Sequence, residues 1–362
     1  LADRMLRASV LERFALAIAS TVLALLIGSV IVWATGYDAV EFATSLVYGA
    51  VGNLSNIAFT LRQSTMLILT GVAVAIAFRA GVFNIGVQGQ FVVGGFATAL
   101  SILFLAPHLP GGTVGGIVLM VLGTVAAIVA GGAYAALPGL MKAYADANEV
   151  ITTIMLNFIA SGVVYFFIDA YLRPGGTSAP NTESFPDYVG LPGFAFGSSS
   201  FSVIGLAVAL LAAVGVFVVM ARTSFGYDLV TSGYQEAAAA YSGVDPKRTV
   251  VTTMTFSGMV AGLAGAIFAI MILGYYTDPS TFPTFGFDAI AVSLLAANNP
   301  LGVIPAGLLF GGLDAGGQYI GFTLDVPAEL VDGVVGLIVL FVAAPELFRM
   351  SARRFGLGGE DR

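Results

Sequence analysis

Residues 78–95 read FRAGVFNIGVQGQFVVGG. Long apolar runs flank the stretch, yet it holds Asn84, Gln88, Gln90 and glycines at 81, 86, 89, 94 and 95. Hydrocarbon supplies no water to a carboxamide, so each amide needs a partner in the protein or in a polar cavity. If the flanking runs cross a membrane, the stretch is a turn, a helix seam or a substrate contact. Which of these it is sets the topology around it.

Composition makes the flanking runs membrane spans. The chain has 362 residues, 58% hydrophobic and only 10% charged, against roughly 25% charged in soluble domains. Apolar runs of about 20 residues match the length of a transmembrane helix, and the alternating segments of an outer-membrane barrel are absent from the sequence. The fold class is therefore all-α, a polytopic helical membrane protein. With no cysteine and one histidine, His108, no disulfide, thiolate chemistry or metal site is expected. A net charge of −7 disfavours nucleic acid as a partner, while the lipid bilayer is an obligatory one.

Ten spans are predicted, near 14–33, 57–78, 84–105, 113–137, 150–172, 200–221, 249–274, 286–297, 301–320 and 328–346. A short interfacial helix is expected over 40–52. The eighth segment is too short to cross alone and reads as a half-helix or re-entrant piece, buried in protein or lining a cavity. The sequence opens at Leu1, and Arg4, Arg7 and Arg13 precede the first apolar run. That run exceeds the 7–15 residues of a signal-peptide core, so an uncleaved first span is expected. The whole of 1–362 reads as a single transmembrane domain with its membrane region over 14–346.

Charge orients the spans. With both termini inside, Arg4, Arg7, Arg13, Arg79, Lys142, Arg222, Lys247, Arg248, Arg349, Arg353, Arg354 and Arg362 share one side, and only Arg62 and Arg173 do not. Positive charge marks the cytoplasmic side. Both termini and the 223–248 loop are then cytoplasmic, and the Pro/Gly/Ser-rich 173–199 loop is external. Ten spans divide into five and five, and an odd number per half inverts the second half, the arithmetic of an inverted repeat.

The cytoplasmic loop carries GYDLVTSGYQEAAAAYSGVDPKR, residues 226–248. Ser232 followed by Gln235 fits a capping box, the run Ala237–Ala240 favours helix, and Gly243 with Pro246 marks a stop. A helix of about ten residues, roughly 15 Å long, is predicted near 233–243. Tyr234, Ala237, Ala238 and Tyr241 then share one face, with small residues between two aromatics. The face suits seating in a partner's groove and equally suits packing on its own bundle.

Polar residues inside the spans have two readings each. Asp146, Asn148 and Glu149 read as a capped helix start or as a cytoplasmic gate. Asn157, about two turns further in, is helix glue or part of a path. Asn298, Asn299 and Pro300 break the helix after 286–297, as a plain turn or as a discontinuous helix near substrate. Asp288, at the outer end of that piece, is within reach of an external ligand. Asp314 lies among glycines in the ninth span, with Gln318 one turn on, and an intramembrane acid is a functional candidate by default.

The chain has no phosphate-binding loop: Lys142 and Lys247 sit in GLMKA and VDPKR, not in Gly-Lys-Ser/Thr. Transport is then passive or powered by another subunit. At this point the stretch GYQEAAAAYSGVDPKRTVVTTMTFSGMVAGLAGA resembles the coupling helix and following span of ABC importer permeases, in the branched-chain amino acid and simple-sugar permease superfamily. GVFNIGVQGQ, ANEVITTIMLN and FGFDAIAVSLLAANNPLGVIPAGLLFG resemble the nucleoside-importer branch. The likeness runs from Leu61 to Glu346, with its motifs in order. Gln88 departs from it, since relatives often carry Glu in Glu-Gly-Gln.

The resemblance implies a permease subunit that forms the translocation path for nucleosides and is not itself an enzyme. Its alternatives are simple sugars and branched-chain amino acids. The implied partners are ABC ATPase subunits that hold ATP and Mg, a second related permease chain and an external substrate-binding protein, all at the plasma membrane. No cofactor is implied for this chain. Tyr234, Gln235, Glu236, Ala237, Ala238, Tyr241 and Gly243 are the expected coupling surface. Asn84, Gln88, Gln90, Asn157, Asp288, Asp314 and Gln318 are the path candidates. A secondary carrier working alone is the rival class, and a membrane scaffold without transport is the third.

The opening stretch then finds its place. Arg79 marks the cytoplasmic rim, Gly81 the tight turn, and Asn84 the start of the third span. Asn84 and Gln88 are expected on one face, and Gly86, Gln90 and Gly94 on a small and polar ridge. The stretch reads as an inner-half helix seam, with Gln88 or Gln90 beside the exit.

Overall fold

The computed structural model describes residues 22–343 except 24, 194–200, 242 and 325. The predicted positions of the two termini, with seven of the arginines that orient the chain, lie outside those residues. Among the described residues the architecture is helical throughout, relieved only by an isolated bridge between Asn181 and Thr277. In chain order the helices are α1 (Leu25–Ala34), α2 (Ala39–Val51), α3 (Leu54–Arg79), α4 (Val87–Leu105), α5 (Gly112–Ala145), α6 (Glu149–Phe167), α7 (Val203–Arg222), α8 (Ser224–Tyr234), α9 (Glu236–Tyr241), α10 (Pro246–Phe268), α11 (Phe285–Leu295), α12 (Val303–Thr323) and α13 (Ala328–Ala343). The described parts of the ten predicted segments each overlap one of these helices, the first segment before 22 and the last after 343 lying outside the described residues, and α2 forms where a short extra helix is expected. Six helices (α3 to α7 and α10) are long and apolar enough to cross a membrane, α4, α6 and α10 being counted with the short helical turns that extend them. α11, only 11 residues long, is the short eighth element.

The chain divides into two compact units. The first takes the residues up to Thr60 and those from Leu309 onward. In it Asp38 caps α2, accepting from the Val40 and Glu41 amides at 2.8 and 2.9 Å. Gly49 and Gly316 let α2 meet α12 closely: a Cβ on Gly316 would strike the Leu46 carbonyl oxygen, and one on Gly49 the Tyr319 ring.

The second unit, Leu61–Leu308, is organised around α10. Its glycines at 258, 262 and 265 face two neighbours at once. A Cβ on Gly262 would collide with the Ala127 carbonyl of α5, and one on Gly94 of α4 would collide with Gly262 itself. A Cβ on Gly265 would strike the Phe91 carbonyl and the Gly95 amide. Such close backbone approach is how helices gain packing in lipid, where apolar burial drives nothing. The ends of α6 and α10 each run into a π-helical turn, Ile168–Leu172 and Ala269–Leu273, which periodicity does not announce.

Past that end of α10 the chain turns back. Gly274 adopts φ +71. The Thr182 and Phe185 amides donate to the carbonyls of Tyr276 and Gly274 at 2.8 and 2.7 Å, pinning the 173–193 loop to this return. Tyr276 is fully buried and donates its hydroxyl to the Val92 carbonyl at 2.6 Å. The return segment thus passes alongside α4 before α11 begins.

Candidate functional site

The amino end of α4 carries a buried polar cluster. α4 starts at Val87, so Asn84 precedes it in an irregular stretch instead of opening the span. Asn84 and Gln88 accordingly do not share a helical face. Asn84 pairs with Gln90: Asn84 Nδ2 donates to Gln90 Oε1 and Gln90 Nε2 donates to Asn84 Oδ1, both at 3.0 Å. Asn84 Nδ2 also donates to Ser257 Oγ at 2.8 Å, and the Ser257 hydroxyl in turn donates to the Ala73 carbonyl at 2.6 Å. Asn84 and Ser257 are fully buried and Gln90 nearly so.

The other two carboxamides cap helix starts. A helix leaves its first amides without internal acceptors. Here Gly86 donates to Asn84 Oδ1 at 3.1 Å and Gly89 to Asn157 Oδ1 at 2.8 Å, while Asn157 Nδ2 donates to the Ile85 carbonyl at 2.9 Å. Gln88 serves the start of α11. Its Oε1 accepts from the Gly286 amide at 2.7 Å, and its Nε2 donates to the Pro283 carbonyl at 3.1 Å. Gly286 is required there, because a Cβ would run into the Gln88 backbone. Gln88 therefore ties the short helix α11 to the start of α4.

The start of α11 therefore lies against the amino end of α4. Asp288, exposed in the first turn of α11, accepts from Thr284 Oγ1 at 3.1 Å. Ser257, and with it the cluster, lies about 16 Å along α10 from Pro246. In the first unit Asp314 and Gln318 are half-buried and come together as the spacing requires, Gln318 Nε2 donating to Asp314 Oδ1 at 3.3 Å.

The turn before the cluster leads to the loop segment. Gly81 takes φ +72, as a tight turn demands. It lies against Gly233 of α8, where a Cβ would overlap the Arg79 carbonyl oxygen. Turn 79–81 and the 223–248 segment therefore share one end of the unit, as charge predicts. The single helix expected near 233–243 is not formed. Ser232 lies within α8, not at a helix start, and Gln235 is an extended break (φ −162, ψ 108) between α8 and α9. The break replaces the capping box, and Tyr234 no longer shares a helical face with Tyr241. Both rings still project into solvent, 79% and 96% exposed. Glu236, Ala237 and Ala238 lie in the six-residue α9, and their side chains are outside the described set. Gly243, at φ +90, ends the segment, and Asp245 caps α10.

Nearby, Asn148 caps α6 through the Val150 and Ile151 amides, and Glu149 pairs with Lys142 at 2.7 Å. That is the capped helix start among the two readings of 146–149. Sequence reasoning passed over Ser257, Gly233, Gly286 and Tyr276. The spacing of Ser257 before Gly258 and Gly262 was a legible signal of a polar contact on a close-packing face, whereas Gly233 and Gly286 carry none.

Carboxamides and hydroxyls neither titrate near neutrality nor carry charge. The cluster can recognise or reposition hydrogen-bonding groups, and it holds no acid or base for chemistry.

Comparison with known proteins agrees with this picture. The guanosine ABC transporter permease protein NupP of Bacillus subtilis is 34% identical, over 91% of this chain and 92% of its own length. The nucleoside ABC transporter permease protein NupB of Lactococcus lactis is 30% identical, over 88% of this chain and 87% of its own. The glucose ABC transporter permease protein TsgB13 of Haloferax volcanii is also 30% identical, over 90% and 86%. No solved structure matches the chain. The model of the branched-chain amino acid transport system permease component matches residues 56–343, and the chain belongs to that family.

Proposed function

We propose that this chain is the membrane permease subunit of an ATP-driven importer for nucleosides. The observation that carries it is the likeness to guanosine and nucleoside permeases along nearly the whole chain. The structure adds a buried, uncharged hydrogen-bonding cluster at the join of α4 and α11, suited to neutral, hydrogen-bonding cargo. The likeness to a glucose permease favours a second reading, a sugar as cargo.

In this proposal the chain crosses the membrane ten times as one domain, in two inverted halves, with both termini cytoplasmic. ATPase subunits holding ATP and Mg seat against 233–243, with Tyr234, Gln235, Glu236, Ala237, Ala238, Tyr241 and Gly243 as the contact. A second, related permease chain completes the path, and an external binding protein delivers substrate. The cargo passes the α4 and α11 starts, where Asn84, Gln88, Gln90, Asn157 and Asp288 lie, with Asp314 and Gln318 as a further polar point. Discontinuous helix starts within a transporter are where substrate is commonly met.

The test is uptake into liposomes carrying the chain with its ATPase and second permease subunit. Guanosine, glucose and leucine are compared side by side. ATP-dependent uptake of guanosine is expected. Uptake by this chain alone, without an ATPase, would overturn the proposal, and uptake of leucine alone would overturn the cargo.

A further inference from the structure

α10 presents two hydroxyls on one face, one turn apart, and only one of them is engaged. Ser257 accepts from Asn84 and donates to Ala73. Thr253, four residues earlier and therefore on the same face, is fully buried, yet its Oγ1 has no hydrogen-bond partner. Its neighbours behave differently: Thr249, Thr252 and Thr255 return their hydroxyls to carbonyls one turn back, at 2.8 Å each. An orphaned buried hydroxyl is uncommon and calls for a reason.

The seam between α4 and α10 supplies one. Gly94 sits on Gly262, and Gly95 on Gly265. A slip of α4 by one turn toward the start of α10 would carry Gly94 onto Gly258 and Gly95 onto Ala261. Along this seam the new contacts are again with small residues, and the slip gives up the bonds of α4 to Asn157, Gly286 and Tyr276 unless α6, α11 and the return segment move with it. The same slip, about 5.4 Å, carries Asn84 from Ser257 to Thr253. We propose that α4 ratchets along α10 between these two registers during transport, and that Thr253 is the positioning residue that receives Asn84 in the second one. The Asn84–Gln90 pair lies within the moving segment and travels intact.

The drive comes through the loop. Turn 79–81 precedes Asn84 and abuts Gly233 with no room for a Cβ, so α8 and the turn displace together. Ser232, beside that contact, is the other described hydroxyl that is buried without a partner. The inference rests on the permease reading above, because it uses ATPase contact with 233–243 as the source of motion.

Thr253→Val separates the ratchet from an idle hydroxyl. Valine keeps the shape and removes the orphan, so in lipid nanodiscs the unfolding midpoint of the assembled transporter should rise by roughly 2 °C. ATP-driven uptake should fall about three- to tenfold, and Thr253→Ser should restore it. Uptake is scored on whichever of guanosine, glucose or leucine the unaltered transporter carries, so a wrong cargo and a wrong register give different results. A raised midpoint with unchanged uptake would overturn the ratchet. A lowered midpoint would also overturn it, since the hydroxyl would then have a partner in the register seen here. An unaltered transporter that carries none of the three would sink the permease reading and the ratchet with it.

Discussion

Around Ser257 the carboxamides are buried and bonded at both ends, while around Gln235 the chain is exposed, short and broken. The same problem, unsatisfied amides at helix starts, is solved in opposite ways. At 84–90 and 285–286 side chains from α4, α6 and the 82–86 stretch reach across to cap, because no water is available there. At 235–245 the cap of α10 comes from Asp245 in the same loop, and Tyr234, Gln235 and Tyr241 stay exposed. The contrast separates a buried, internally bonded region from an exposed segment, the one proposed to meet a partner. Gly233 against turn 79–81 and the Phe225–Phe256 ring contact between α8 and α10, 5.6 Å between centroids, join the two.

Asn157→Leu should break the buried region hardest. It orphans the Gly89 amide and the Ile85 carbonyl together, and each buried orphan costs about 1–3 kcal/mol. A loss of roughly 3 kcal/mol is expected, read as a lower unfolding midpoint in nanodiscs with uptake abolished. A midpoint within a degree of the unaltered chain would mean that the cluster is not what holds the start of α4.

Gln88 tests the finer structure of the same region. Gln88→Leu frees the Gly286 amide and the Pro283 carbonyl and should cost about 2 kcal/mol. Gln88→Glu keeps the acceptor for Gly286, places its charge at the positive end of α11 and loses only the donor to Pro283. Its cost should be about half as large. If the glutamate variant is the worse of the two, Gln88 acts through its donor and not as the cap of α11.

Much of this was legible in the sequence, for identifiable reasons. The helices follow from apolar run lengths, and the turn at Gly81 follows from a glycine after a charged rim residue. The Asp314–Gln318 contact follows from the helical repeat. The partners of Asn84 and Gln88 were not legible. Their spacing suggested a shared face only if the helix began at Asn84, and its true start is set by Asn157, a residue 68 positions from the Gly89 amide it caps. Likewise the alanine run at 237–240 favours helix, but propensity alone does not keep α8 and α9 continuous. Gly233 is pressed against turn 79–81, and packing there competes with the straight helix the local sequence prefers.

The smallest effect on stability is expected where the effect on coupling should remain large. Tyr234→Ala and Tyr241→Ala remove rings that touch water, and surface changes of this kind stay within about 0.5 kcal/mol. The unfolding midpoint of the permease chain alone should therefore not move. If the 233–243 segment is the surface that the ATPase completes, those rings become buried in the assembly, and truncating a buried aromatic anchor costs an interface about 2 kcal/mol or more. The number of substrate molecules moved per ATP hydrolysed should then drop several-fold in either variant, and further in both together. The reverse pattern, a destabilised chain with an unchanged transport ratio, would show that the rings pack in the chain's own fold. It would erase the distinction between the two regions. An unchanged ratio with an unchanged midpoint would leave Gly233 and turn 79–81 as the contact through which α8 acts, and would move the docking surface off the tyrosines.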